Sequence, residues 1–222
     1  MHAASGVVDR STAGDRRTKV AGVHVSPYLN SRRKRAFDIA LSLVGLFVLG
    51  LILPIVGFAV CLTSRGPIFH SRARVGKDDV LFSMIKFRTM VRAGGEDSGQ
   101  LRTQTGDPRI TKVGTVLRKT YIDEIPQFLN VLRGEMSIVG PRPEFPELAR
   151  ELVRARPEFA KRTAAKPGIT GLAQVQYVHA TDDEQAANRI SYDLKYIRHA
   201  SLRLDVKLVV KTLRRAARFG GY

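Results

Sequence analysis

Apolar residues are unevenly distributed along this chain, and the longest apolar run comes early. From Ile39 to Ser64 no side chain is charged over 26 residues, more than the roughly 20 that span a bilayer core. A soluble core helix of that length would normally carry a polar face, so the run reads as a membrane segment. Arg32, Arg33, Lys34 and Arg35 precede it, and Arg65, Arg72, Arg74 and Lys77 follow it. Cations on both flanks leave the positive-inside rule without a clear orientation. Two topologies satisfy the pattern: a crossing helix that tolerates Pro54, or a segment kinked at Pro54 that enters and leaves by the same face.

Shorter periodicities follow. "GPIFHSRARVGKDDVLFSMIKFRTM" predicts a β-hairpin, two runs rich in Val, Ile and Phe around a Gly76–Asp79 turn. Residues Arg92 to Pro108 are polar and Gly-rich, which predicts a loop of functional length. "RITKVGTVLRKT" predicts a short helix ending near Thr120. A second helix is expected from Asp123, a favoured N-cap, with Pro126 in its first turn and Gly134 as its stop. "IVGPRPEFPE" reads as an extended loop, "ELARELVRARPEFAKR" as a helix broken near Pro157, and "KPGITGLAQVQ" as a turn followed by a short strand or bend. A polar helix from Asp182 to His199 leads into a last one, where Leu202, Val206, Val209, Leu213 and Ala216 share a face and Arg203, Lys207, Arg214 and Arg218 share another. Such a helix either lies in an anionic membrane interface or packs on the domain.

Composition narrows the partners. With 37 Lys+Arg against 20 Asp+Glu, a formal charge of +17 favours anionic partners: nucleic acid, lipid headgroups or phosphorylated small molecules. Aromatic residues are only 7% with no Trp, and the cations are not interleaved with stacking side chains, which argues against nucleic acid. Cys61 is the only cysteine, so there is neither an internal disulfide nor a thiolate cluster. Residues 1–31 mix small, polar and basic residues without the apolar run of a signal peptide and are expected to form a disordered arm.

Against this basic background, Asp123 and Glu124 stand together in "RKTYIDEIPQFLNVLRGEMSIVGPRPE". Lys86 and Arg88 are two apart, so on a strand they project from one face, either toward solvent or toward a polyphosphate. With Arg118 and Arg142 they form a candidate phosphate-binding set around the acidic pair. The carboxylates then have two uses: to hold a divalent cation beside a diphosphate, as Mg²⁺ takes one or two carboxylates plus phosphate oxygens, or to attack phosphorus. Walker, G-x-G-x-x-G and H-E-x-x-H motifs are absent, and His70, His179 and His199 are isolated.

Four blocks, "KRAFDIALSLVGLFVLGLILPIVGFAVCLTSRGPIFHSRARVG", "FSMIKFRTM", "VGTVLRKTYIDEIPQFLNVLRGEMSIVGPRPE" and "KPGITGLAQV", resemble in order those of the bacterial sugar transferases, the monotopic phosphoglycosyl transferases. The resemblance implies transfer of a sugar 1-phosphate from a UDP-sugar to a polyprenyl phosphate such as undecaprenyl phosphate, with UMP released and Mg²⁺ as cofactor, opening the assembly of a polysaccharide or glycoconjugate. It implies Asp123 as nucleophile with Glu124 as its partner, both candidate metal ligands, and Lys86, Arg118 and Arg142 as matching basic residues. It implies a re-entrant membrane helix broken at Pro54, although Leu53 stands where the family often has Ser. His70-Ser71 stands where the family more usually has a Gln-containing pair.

The expected protein is therefore α+β: a re-entrant membrane helix, a β-hairpin and a mainly helical catalytic domain at the membrane interface. Its parts are a disordered arm (1–31), the basic flank and membrane helix (32–64), the catalytic domain (65–200) and a basic interfacial helix and tail (201–222). The expected location is the cytoplasmic face of the inner membrane, in contact with anionic lipid headgroups and without nucleic acid. The competing reading is a basic membrane-tethered binding module for nucleic acid or anionic lipid.

Overall fold

Ser31 starts the longest element of the computed structural model, which describes residues 22–91, 107–176 and 183–217. The Ser31 hydroxyl accepts from the Lys34 amide as the N-cap of α1 (Arg32–Thr63), a helix of 32 residues. By length and composition it can cross a membrane. Pro54 lies inside α1 and does not interrupt it, which corrects the break expected there. A proline forfeits one main-chain hydrogen bond, and the bonds on either side carry the helix through.

One side of α1 lies on the rest of the protein. The Phe128 ring occupies the space that a Cβ on Gly45 would need, and Leu49, Ile52, Leu53, Val56 and Val60 pack around Phe87 and Leu117. The other side presents Val44, Phe47, Leu51, Ile55, Phe58 and Leu62, each more than half exposed. Their spacing of three and four residues makes one continuous apolar stripe.

Five residues after α1 the chain enters the expected hairpin, β1 (Phe69–Val75) antiparallel to β2 (Leu81–Phe87), with His70 opposite Lys86 and Val75 opposite Leu81. The turn takes Asp78 and Asp79 into the left-handed region, which Asp tolerates better than most residues. Next comes α2 (Lys112–Lys119), capped by Thr111. The helix expected from Asp123 begins later: Ile122–Glu124 is a 3₁₀ turn, and α3 spans Gln127–Arg133 with Pro126 at its N-cap. Asp123 therefore does not cap a helix. Gly134 ends α3 with φ +85°, the left-handed stop that glycine supplies without a Cβ penalty.

β3 (Ser137–Val139) pairs in parallel with β4 (Gly168–Thr170), a sheet not foreseen from the sequence. α4 (Pro146–Ala155) and a 3₁₀ stretch (Pro157–Ala164) join them, split at Pro157 as expected. α5 (Leu172–Gln176), α6 (Asp183–His199) and α7 (Leu202–Ala216) complete the described chain. The main core gathers Phe82 and Met84 of β2, Ile138 and Val139 of β3, and Tyr196 and Ile197 of α6. The fold is α+β, with one long apolar helix and a small hairpin as expected.

Two expectations about the flanks change. Residues 22–31 belong to the folded unit, because Ser26 donates from its amide to the Ile197 carbonyl and from its hydroxyl to that of Ala200, and Tyr28 packs on the core. The remainder of the expected arm lies outside the described residues, as does most of the polar loop after Val91. Lys34, read as one of the solvated flanking cations, is buried. It contacts Asp38 at 3.1 Å and Asp205 of α7 at 2.6 Å. Asp38 also accepts from Ser137 and the Ile138 amide, and Asp205 from Tyr28 and Tyr196. Such satisfaction is what a buried ion pair requires. In α7, Leu208 and Asp205 point inward while Leu202, Val206 and Leu213 of the expected stripe remain exposed.

Candidate functional site

Tyr121 places the acidic pair. After α2 its backbone turns left-handed, with φ 59°, a conformation that costs a non-glycine residue on the order of 1–3 kcal/mol and recurs at functional sites. The following 3₁₀ turn brings Asp123 and Glu124 under the end of β2, where both are buried.

Lys86 Nζ lies 2.6 Å from Glu124 Oε1 and 4.0 Å from Asp123 Oδ2. Arg142 Nη2 reaches the same Glu124 oxygen at 3.2 Å. Arg142 comes from the loop after β3, whose carbonyl at Arg142 accepts from Arg162; Arg162 is itself held by Asp193 of α6 at 2.6 Å. Arg118, from the last turn of α2, donates its Nε to Thr89 Oγ1 at 3.0 Å, and its charge reaches Asp123. The structure thus brings together five of the six expected side chains: Asp123, Glu124, Lys86, Arg118 and Arg142.

Arg88 lies elsewhere. Its Nη2 donates to the carbonyls of Ser64 at 2.7 Å and Val60 at 3.5 Å, at the end of α1. The alternation that would align it with Lys86 holds only within a strand, and β2 ends at Phe87. The carbonyls at the end of a helix run out of intrahelical donors; Val60 still accepts from the Ser64 amide, and Arg88 supplies the donor for the Ser64 carbonyl beyond it. Its assignment to phosphate binding is corrected accordingly.

The two carboxylates occupy different surroundings. Burial pushes the Asp123 carboxyl up from its ordinary value to about 6, with the Glu124 charge adding to the rise and Lys86 opposing it. Burial also pushes Glu124 up, but contact with Lys86 and Arg142 outweighs it and holds that carboxyl down at about 2. Among the described residues, no hydrogen bond reaches the Asp123 carboxylate. Two carboxyls driven apart in this way are suited to separate tasks.

From the sequence Arg74 reads only as a flanking cation, and Thr89 is not singled out. Arg74 stacks on Phe145 at 3.3 Å from the ring centroid, and burial together with the nearby Arg142 lowers its pKa to about 10. Thr89 orients Arg118. Neither residue announces itself locally, because each acts through a neighbour distant in sequence.

No group of three or more His, Cys, Asp or Glu side chains gathers into a metal cluster among the described residues. What the site offers a cation is the Asp123 carboxylate, without hydrogen bonds, and Glu124 Oε2, with Oε1 already committed to Lys86 and Arg142. A one- or two-carboxylate donor set fits Mg²⁺ that takes its other ligands from phosphate and water.

Residues 29–218 match the family model described as bacterial sugar transferase. The chain is 39% identical over 181 residues to a UDP-N-acetylgalactosamine-undecaprenyl-phosphate N-acetylgalactosaminephosphotransferase of Aeromonas hydrophila, covering 82% of this chain and 43% of that protein. It is 38% identical to an undecaprenyl-phosphate glucose phosphotransferase of Komagataeibacter xylinus, covering 82% and 35%. With the exopolysaccharide production protein PSS of Rhizobium leguminosarum bv. phaseoli the identity is 40%, covering 81% of this chain and 92% of the relative. The chain therefore spans less than half the length of the first two relatives and nearly all of the third.

Proposed function

Because the chain belongs to the bacterial sugar transferase family, we propose that it transfers a sugar 1-phosphate from a UDP-sugar to undecaprenyl phosphate by way of a covalent enzyme intermediate on Asp123. The relatives' names supply the donor and acceptor classes, and the observation that carries the covalent step is the contrast within the acidic pair. Glu124 is neutralised by two cations, whereas Asp123 is the more basic carboxylate and bears no hydrogen bond that would blunt its lone pairs.

In the first step an Asp123 carboxylate oxygen attacks the phosphorus that bears the sugar. The Asp123–phosphorus bond forms, the bond to the bridging oxygen breaks, and UMP leaves with that oxygen and its electron pair. In the second step a phosphate oxygen of the polyprenyl phosphate attacks the same phosphorus, the acyl phosphate bond breaks and the carboxylate returns. Lys86, Arg142 and Arg118 offset the charge of an anionic nucleophile meeting an anionic substrate. Asp123 and Glu124 would hold Mg²⁺, which supplies Lewis-acid neutralisation of the diphosphate.

The reading includes a re-entrant α1 at the cytoplasmic face of the inner membrane. What supports it is that both ends of α1 are tied to the same domain: Lys34 to Asp205 and Arg35 to the Val131 and Leu132 carbonyls at one end, and Ser64 to Arg88 at the other. A segment held at both ends by a domain on one side of a bilayer returns to that side, here by a bend at Pro54 within a continuous helix rather than by a break. The exposed stripes of α1 and α7 then contact lipid.

The test is intact-protein mass spectrometry after rapid mixing with UDP-sugars and Mg²⁺ in the absence of lipid acceptor. UMP release with a sugar-phosphate adduct mapped to Asp123 is expected. An active enzyme with no adduct under rapid quench, and with sequential kinetics, would refute the covalent step.

A further inference from the structure

The catalytic reading leaves a second cluster of cations unexplained. At the foot of α1 a cavity of about 190 Å³ is lined by Ser31, Lys34, Arg35, Asp38, Ser137 and Lys166, among others. That is far more than the roughly 10–15 Å³ needed to admit one water. None of the proposed catalytic residues lines it.

The charges around this cavity do not balance. Lys34 is committed to Asp38 and Asp205. Arg35 donates to the Val131 and Leu132 carbonyls at 2.7 Å each, and Lys77 to the neutral Asn30 Oδ1 at 2.8 Å; neither of these partners carries a formal charge. Lys166 Nζ has no hydrogen bond or ion pair among the described residues. A Cβ built on Gly134, at the end of α3, would lie 3.6 Å from Lys166 Nζ and 3.9 Å from Arg35 Nη2, so these two cations of the cavity wall stand close together. Burial, and then the charge of Arg35, lowers the Lys166 pKa, with Lys77 and Lys34 adding to the effect and Asp38 opposing it. Partly desolvated like charges brought together without an anion destabilise a fold.

We propose that this cavity is an anion-binding site, separate from the Asp123 centre, that takes a phosphate group between Lys166 and Arg35. Arg and Lys side by side suit a tetrahedral oxyanion, Lys as a point charge and Arg35 through the N–H groups not already given to the Val131 and Leu132 carbonyls. Its position suits a phosphate at headgroup depth: the uncharged run of α1 starts at Ile39, four residues after Arg35, or roughly 6 Å at 1.5 Å per residue. The shared chemistry is a phosphate oxyanion, whose source is either a lipid headgroup or free phosphate. The site goes beyond the transferase reading and stands if that reading fails.

The experiment compares the full-length wild type with Lys166→Gln in dodecyl maltoside micelles at pH 7.5 and constant ionic strength, following thermal unfolding by circular dichroism. One arm titrates inorganic phosphate against chloride; the other dopes the micelles with phosphatidylglycerol, with phosphatidylcholine as control. Phosphate binding at the Asp123 centre would be common to both proteins and cancels. A saturable Tm rise of a few degrees in the wild type is expected, with the midpoint concentration raised about tenfold or more in Lys166→Gln. A response in the phosphate arm identifies free phosphate, and a response confined to phosphatidylglycerol identifies a headgroup. Equal responses of the two proteins in both arms, or none in either, would overturn the proposal. So would a Lys166→Gln Tm below wild type in chloride, because an unfilled cation cluster predicts a Tm at or above it.

Discussion

Replacing Asp123 by Asn should abolish activity and at the same time stabilise the protein at neutral pH. Burial, with the Glu124 charge adding to it, raises the Asp123 pKa from 3.8 to about 6, which holds on the order of a few kcal/mol against the folded state. Asn keeps the size and removes the charge, although it gives up the 4.0 Å contact with Lys86, so a net gain of about 1–3 kcal/mol is expected. For a chain of this size that is a Tm increase of about 3–9 °C. The sign follows from linkage. A carboxyl whose folded pKa is raised binds more protons in the folded state between pH 3.8 and 6, so its penalty is absent below that window and fully present above it. The gap between wild type and Asp123→Asn should therefore open as pH rises from about 4 to about 6.5. Glu124 runs the other way, adding stability above pH 4.5 that is lost as pH falls toward 2, a window that lies below the one in which Asp123 titrates. The assay is thermal unfolding in detergent across pH 4–8, paired with UMP release. In the wild type, UMP release should fall below an apparent pKa near 6, a value that belongs to the acidic pair as a unit. A variant no more stable than wild type at pH 7.5, or a gap that does not change with pH, would refute the account of Asp123 as a desolvated, basic carboxylate.

Three further outcomes are expected. Arg142→Lys should lose at least about tenfold in kcat/KM despite keeping its charge, because an ammonium cannot reproduce a guanidinium contact; near-wild-type kinetics would reduce Arg142 to a source of bulk positive potential. Lys34→Met should lower stability by about 3–5 kcal/mol by leaving Asp38 and Asp205 without their shared cation, measured by denaturant unfolding beside Arg32→Met, which should change little. In a Cys61→Ser background, Asn30→Cys and Ser71→Cys should both be shielded from an impermeant thiol reagent in intact cells, and labelling of Asn30→Cys alone would show that α1 crosses the membrane.

Much of this architecture was legible in the sequence because it depends on local pattern. The uncharged run after Arg35 specifies α1, the Gly76–Asp79 turn specifies the hairpin, Pro157 splits the helical stretch after Pro146, and Gly134 stops α3. The acidic pair stood out because two carboxylates in a basic segment are conspicuous without knowledge of the fold. What the tertiary structure decided are pairings between residues far apart in the chain. Lys34 was indistinguishable from its neighbours in a run of four cations until Asp205, 171 residues away, came within 2.6 Å. Arg88 followed Lys86 by the spacing of a strand face, yet the strand stopped one residue too soon and the Ser64 carbonyl at the end of α1 took its guanidinium. The parallel pairing of β3 with β4 joins two three-residue segments too short to show a periodicity. Helix periods, caps and turns arise from interactions within a few residues and so can be read locally. The partner that a buried charge finds depends on which segments the fold has already brought together.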